Sequence, residues 1–134
     1  MSHTITQYDG VVTVRLDSRP NAQELSQGLN VYLETKTGGT VIILIDLTFV
    51  TAIGQQVKAA LYRALQHHNI LKVGFFGATP DVAAELTDML PVLVRLHPVA
   101  LQHTELDVRQ KLGLVKVETA YKLGGMLNYL RKSS

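Results

Sequence analysis

The chain has 134 residues, 46% of them hydrophobic and 18% charged, which is enough apolar material for one globular domain with a proper core. A formal net charge of +2 without a clustered basic stretch argues against nucleic-acid binding, and the absence of cysteine excludes disulfides, thiolate metal sites and cysteine catalysis. No apolar run reaches the ~18–20 residues of a membrane span and the start lacks the features of a secretory signal, so we expect a cytoplasmic protein without stable membrane insertion.

The first predicted element is a β-hairpin. The apolar-rich segments Ile5–Tyr8 and Val11–Leu16 flank the dipeptide Asp9-Gly10, which favours a type I′ turn. Val12, Val14 and Leu16 alternate with polar residues, a pattern typical of a strand packed on one face only.

A helix is predicted next. Asn21 followed by Glu24 resembles a capping box, and apolar residues then recur at helical spacing until Gly38-Gly39 ends the segment. The run Val41–Ile45 that follows is continuously apolar and β-branched, which is typical of a central parallel strand covered on both faces.

A second helix should begin near Gly54 or Gln55 and end near His68-Asn69, because apolar residues there form an inward stripe at i, i+3, i+4, i+7 and i+8. The stripe consists of Val57, Ala60, Leu61, Ala64 and Leu65.

Ile70–Phe76 predicts another strand, and Thr79-Pro80-Asp81 is a strong helix start that Pro91 should end or kink. Residues 93–101 are ambiguous, and Pro98 limits any strand there to the edge of a sheet. A short helix from Thr104 to about Leu112 and an amphipathic helix in the tail complete the prediction.

The predicted fold class is therefore α/β: a mixed sheet in the order β-β-α-β-α-β-α-β-α, with the helices packed on the sheet and an extra C-terminal helix. We assign residues 1–112 to the domain and residues 113–134 to a helical extension that packs on the same domain or on a partner. A homodimer formed through this extension is one expectation that follows.

The most informative stretch runs from Ile45 to Val57, where a buried strand delivers its carboxyl end into a loop and then into a helix start. Free N–H groups at a helix start favour an anion or the carboxylate of a partner. The loop Gly77–Pro80 follows the next strand, so adjacent strands would bring the two loops to one face, the usual ligand surface of an open α/β sheet. Ordinary capped connections are the alternative interpretation.

This stretch resembles the STAS family, the domain of bacterial anti-sigma factor antagonists and sulfate transporters. That family has an apolar strand ending in Asp-Leu, followed by Ile-Asp-Ser-Ser/Thr-Gly-Leu at a helix start. Asp46-Leu47 matches the strand end, Ile53 matches the lead-in, and Val73–Val82 is similar to the family's next strand and helix start. The resemblance covers roughly residues 4–112 and implies a non-catalytic regulatory module.

The sequence departs from the family pattern where the family is phosphorylated. The second Ser/Thr of the motif falls on Gln56 and the preceding Asp falls on Gly54, so the acceptor hydroxyl and the carboxylate are both missing. Switching by phosphorylation at this position is therefore not expected. Gln55 and Gln56 still offer amide groups to a partner.

Catalytic and metal chemistry find little support in the sequence. Asp46 is the best-placed acid, but a strand-end Asp without an acidic partner is more often a loop acceptor than a catalyst. His67-His68 are adjacent at a helix end and do not have the i, i+4 spacing of zinc ligands. We predict no catalytic residue, no metal and no cofactor.

The leading hypothesis is a module that binds a kinase-type anti-sigma partner, or another signalling protein, by shape and amide hydrogen bonds. The predicted contact residues are Asp46, Thr48, Thr51, Gly54, Gln55, Gln56, Lys58 and Thr79. The alternative is a small-ligand or lipid-binding domain of the same fold, related to the SpoIIAA-like group, which would need an apolar cavity between the helices and the sheet.

Overall fold

A computed structural model describes residues 3–36 and 38–114 of the chain. The strands are β1 (His3–Tyr8), β2 (Val11–Leu16), β3 (Val41–Asp46), β4 (Ile70–Phe76) and β5 (Val99–Gln102). The helices are α1 (Ala22–Thr35), α2 (Gly54–Ala64), α3 (Pro80–Glu85), α4 (Leu90–Leu93) and α5 (Glu105–Lys111).

The five strands form one mixed sheet in the order β1-β2-β3-β4-β5. β1 and β2 are the antiparallel arms of a hairpin, and the remaining neighbours are parallel. Asp9 and Gly10 have φ angles of 55° and 78°, the positive values that a type I′ turn requires. The predicted hairpin, the central position of β3 and the α/β class are confirmed.

One face of the sheet, which we call the inner face, carries the main core. Alternate side chains of the strands pack there against the apolar sides of α1, α2, α3 and α4. The predicted stripe of α2 points into the sheet, since Val57, Ala60, Leu61, Ala64 and Leu65 are all at most 5% exposed.

The opposite, outer face carries a smaller core. Val108 and Leu112 at α5 pack with Leu44, Phe76 and Ala100 of the sheet. Gly74 makes this approach close, because a Cβ there would clash with Val108 Cγ1 and lie 3.1 Å from Leu112 Cδ1. Leu44 is thus buried from the side opposite to its neighbours on β3, which explains why β3 reads as a continuous apolar run.

Two predicted boundaries differ from the structure. α2 ends at Ala64 rather than near His68-Asn69, and Asn69 N donates to His67 Nδ1 as the chain turns into β4. The predicted third helix is two helices, because α3 ends at Glu85 and Pro91 lies in the first turn of the separate α4. Proline fits a first turn because no hydrogen bond is required of its nitrogen there.

Three predicted helix starts are confirmed. The side chains of Asn21, Thr79 and Thr104 accept hydrogen bonds from the third residue of their own helices. β5 follows Pro98 and forms an edge of the sheet, as expected.

No helix in the described part of the chain is long and apolar enough to cross a membrane. The predicted tail helix, the extension over residues 113–134 and the expected homodimer through it fall almost wholly on residues 115–134, which lie outside the described residues.

Candidate functional site

The loops after β3 and β4 lie side by side at the carboxyl ends of the strands. Leu47 N donates to Phe76 O at 2.9 Å, which continues the pairing of the two strands into the loops. Gly77 has a φ of 81°, and a Cβ on it would lie 2.9 Å from Thr48 N. The two loops are therefore adjacent, as predicted from the strand order. This close approach requires glycine at position 77, because any side chain there would meet Thr48.

Asp46 organises the first turn of the β3–α2 loop. Its Oδ1 accepts hydrogen bonds from Thr48 N at 2.9 Å and from Thr48 Oγ1 at 2.5 Å, the pattern of an Asx turn. Its Oδ2 accepts one from Arg15 Nε at 3.3 Å. The residue is 6% exposed, so this carboxylate acts as a loop acceptor.

The two loop threonines use their hydroxyls inside the chain. Thr48 donates to Asp46, and Thr51 Oγ1 donates to Ser18 O at 3.0 Å. Thr51 N donates to the same carbonyl at 3.2 Å. The loop is thereby tied to the segment between β2 and α1, and both hydroxyls are already occupied as donors.

The start of α2 is held by a residue that the sequence analysis did not single out. Ile53, at the cap position, has no side chain able to accept a hydrogen bond from the helix. The carboxylate of Glu85 instead accepts from Ile53 N at 3.1 Å and from Gly54 N at 2.9 Å. The sequence analysis expected free N–H groups at this helix start, and that expectation is wrong for Ile53 N and Gly54 N.

The position of Glu85 makes sense for α2 rather than for its own helix. It is the last residue of α3, where a negative charge opposes the helix dipole, whereas at the start of α2 the same charge is favourable. An acidic residue at a helix C-terminus was the only signal in the sequence, and it did not identify the partner helix.

Lys58 is also engaged by the α3–α4 segment. Its Nζ lies 3.0 Å from Asp88 Oδ1, and this hydrogen bond lowers the pKa of Asp88 below its usual value. The Lys58 side chain is 16% exposed and that of Asp88 is 74% exposed. A partner that approaches Lys58 would therefore meet its ion pair with Asp88 and not a free ammonium group.

The largest exposed side chains between β3 and the first turn of α2 are Phe49, Gln55 and Gln56, and the smaller Thr48, Thr51 and Ala52 are exposed as well. Both glutamines are exposed on the first turn of α2. Phe49 is 54% exposed on the loop, with the Arg15 guanidinium carbon 5.4 Å from its ring centroid. Sequence reasoning missed Phe49 and Arg15, although an aromatic residue in a loop next to a predicted site was a usable signal.

A groove runs along each side of α2. The groove towards α1 has a volume of about 540 Å³ and is lined by small and amide side chains, among them Ser26, Gln27, Gln56 and Ala59. The groove towards α4 has a volume of about 210 Å³ and an apolar floor that includes Tyr62, Met89 and Val92. The first turn of α2 therefore stands as a ridge between two open grooves.

Thr79 belongs to the second loop and not to this ridge. Its hydroxyl accepts from Val82 N at 3.2 Å and so caps α3. Its predicted contact role would place a partner across both loops.

The histidines form no metal site. The rings of His67 and His68 stack at 4.6 Å, and buried His97 has its Nε2 2.7 Å from Leu65 O. Over residues 3–36 and 38–114, no group of three or more metal-ligating side chains is close enough to hold an ion.

Comparison with known proteins locates the fold. No protein-family model matches the sequence, and no curated protein matches it. A proposed anti-sigma factor antagonist from Thermotoga maritima has a similar structure, with a TM-score of 0.60 and 14% identity over 83% of this chain and 94% of that one. RsbS from Moorella thermoacetica, in a form with one serine replaced by glutamate, gives 0.59 and 22% over 86% and 100%. This chain has the STAS fold.

Proposed function

We propose that this chain is a non-catalytic regulatory module that binds a protein partner through the loop ridge, defined as Phe49 together with Gln55 and Gln56. A kinase-type anti-sigma protein is the first partner to test, because one structural neighbour is described as an anti-sigma factor antagonist.

Residues 46–56 combine a backbone held by internal hydrogen bonds with side chains that are exposed, and this combination supports the proposal. Asp46, Thr51 and Glu85 fix the backbone of residues 46–54, while the side chains of the ridge remain exposed. A preformed backbone lowers the entropy lost on association, and exposed amide and aromatic groups supply hydrogen bonds and contact area. The grooves beside α2 offer room for side chains of the partner.

The same geometry argues against a phosphorylation switch in the loop. Gln55 and Gln56 carry no acceptor hydroxyl, and the hydroxyls of Thr48 and Thr51 are hydrogen-bonded internally. A phosphate on Thr48 would also lie beside the Asp46 carboxylate, where like charges repel.

The binding test uses Gln56→Arg with a matched control. The partner is captured from the source organism, purified and titrated calorimetrically against the wild type, Gln56→Arg and Gln66→Arg. Gln66 is an exposed glutamine just beyond the other end of α2, so the control makes the same chemical change away from the ridge. We expect Gln56→Arg to lower affinity at least tenfold, about 1.4 kcal/mol, with the melting temperature unchanged in both variants.

Equal affinity of Gln56→Arg and wild type would show that the partner binds elsewhere and not at the ridge.

Phosphorylation is tested separately, by incubation with anti-sigma-type kinases of the organism followed by intact mass analysis. We expect no added phosphate. A phosphate mapped to Thr48 or Thr51 would show that the chain is switched by modification after all.

A further inference from the structure

The two faces of the sheet are unequally covered. Four helices pack on the inner face, whereas among the described residues the outer face has only α5, a helix of seven residues over β4 and β5. Cross-strand partners share a face, so the outer side chains of the other half of the sheet can be read from the register. They are Thr4, Thr6 and Tyr8 of β1, Val11, Thr13 and Arg15 of β2, and Ile42 of β3.

This half of the outer face contains apolar surface. Tyr8 is 86% exposed, and Val11 and Ile42 are half-buried at the border of the α5 cluster. β2 and β3 are parallel, and parallel pairs are usually covered on both faces. We call this surface the outer patch, and it is formed by Tyr8, Val11, Thr13 and Ile42. We therefore expect a further element to pack on it.

The described chain ends beside the outer patch. Gly113, with a φ of 78°, ends α5, and Lys72 Nζ donates to Leu112 O, which fixes the end of that helix. Leu114 then packs on the same apolar cluster as Val11 and Ile42. The sequence continues for 20 residues beyond this point.

We propose that residues 115–134 bind the outer patch and complete the second layer of the domain. Twenty residues reach up to about 30 Å as a helix, whereas β1, β2 and the uncovered part of β3 are strands of at most ~20 Å that lie ~4.8 Å apart. The segment carries apolar side chains at Val117, Ala120, Tyr121, Leu127 and Leu130. Tethering from Leu114 gives it an effective concentration in the millimolar range, which favours the same chain over a second copy.

The absence of native cysteine allows a clean crosslinking test in the full chain. Thr13→Cys is combined in turn with Ala120→Cys, Leu123→Cys or Leu127→Cys and oxidised at low protein concentration. The control replaces Thr13→Cys by Ser26→Cys, because Ser26 is a hydroxyl residue of similar burial on α1, on the inner side of the sheet.

We expect at least one Thr13 pair to form an intramolecular disulfide about tenfold faster than its Ser26 control, since a disulfide requires Cα atoms within ~7 Å. Equal rates for Thr13 and Ser26 would mean that the tail does not bind the patch. Disulfides between two molecules would assign the patch to a second copy. Either result overturns the proposal, and neither bears on partner binding at the loop ridge.

A second measurement leaves the tail sequence intact. The rate of trypsin cleavage after Lys122 is measured under limited digestion in the wild type, Val11→Glu and Val31→Glu. Val31 is an exposed valine on α1, 47% exposed, and so controls for a new carboxylate elsewhere. We expect Val11→Glu alone to accelerate this cleavage about tenfold, because an unpaired charge in a covered apolar patch releases the segment. Equal cleavage in all three proteins contradicts the proposal.

Discussion

The starts of α2 and α3 lie next to each other at one edge of the sheet, yet they are capped in different ways. α3 is capped by its own Thr79, which lies three residues before the N–H group that it satisfies. α2 has Ile53 at the cap position and depends on Glu85, which is 32 residues away in sequence. One helix start is a local device, and the other is a contact between two helices.

The two helix starts should respond differently to changes elsewhere in the fold. A local cap stabilises its helix whatever the surroundings, whereas the Glu85 contact exists only while α3 is correctly placed beside α2. The ridge of the proposed binding site is at the start with the non-local cap. Changes in α3 should therefore reach the ridge, while changes at Thr79 should remain mainly within α3.

The largest effect is expected for Glu85→Ala. It removes a charged acceptor from Ile53 N and Gly54 N and leaves two helix-start donors unsatisfied, which should reduce the free energy of unfolding by about 2 kcal/mol. Urea unfolding measures the loss. Hydrogen exchange at the amides of residues 53 and 54 should accelerate in parallel.

Two further variants sharpen this result. Glu85→Gln keeps one acceptor oxygen and should lose roughly half as much stability as Glu85→Ala. Glu34→Ala removes an exposed carboxylate from α1 and should change stability by less than ~0.5 kcal/mol. If Glu85→Ala lowers the free energy of unfolding no more than Glu34→Ala does, the hydrogen bonds from Ile53 N and Gly54 N to Glu85 do not form in solution.

The same contrast explains how much the sequence could predict. Thr79, Asn21 and the Asp9-Gly10 turn were predictable because the donor, the acceptor and the bend lie within a few residues. The apolar periodicities of β3 and α2 predicted the fold class for the same reason, since each reports the faces of a single element. The short α4 was missed because Pro91 is compatible both with a kink and with a new helix start.

The candidate site was only partly predictable. The exposed positions of Gln55 and Gln56 follow from the α2 stripe, which fixes the opposite face of the helix. The partners of the site do not follow from any local pattern: Glu85 reaches Gly54 across 31 positions, and Arg15 reaches Asp46 across another 31. Such contacts depend on strand order and helix placement, which a single sequence does not encode locally.

Removing the local cap should have an intermediate effect. Thr79→Ala is expected to cost about 1 kcal/mol, the usual value for losing a threonine cap, in the same urea measurement. Thr79→Asp, which restores an acceptor, should recover most of it. Thr87→Ala, an exposed threonine just beyond α3, is the control.

The exchange rates at residues 53 and 54 then decide whether the two helix starts are independent. They should change far less in Thr79→Ala than in Glu85→Ala. An equal acceleration in both variants would mean that the short α3 transmits the loss of its cap directly to Glu85, so that the local and non-local devices are one unit.

The smallest effect is expected for the ion pair of Lys58 with Asp88, the second contact between α2 and the α3–α4 segment. Lys58 lowers the pKa of Asp88, so the pair stabilises the fold above the unfolded-state pKa of that carboxyl, and the stabilisation is lost as pH falls through the lower, folded-state pKa. Lys58→Met should return the pKa of Asp88 towards its usual range in an NMR titration, and Lys36→Met, an exposed lysine at the end of α1, should not. Because Asp88 is exposed, salt should weaken the shift. An Asp88 pKa that is the same in Lys58→Met and wild type would leave Glu85 as the connection between α3 and the start of α2 that matters in solution.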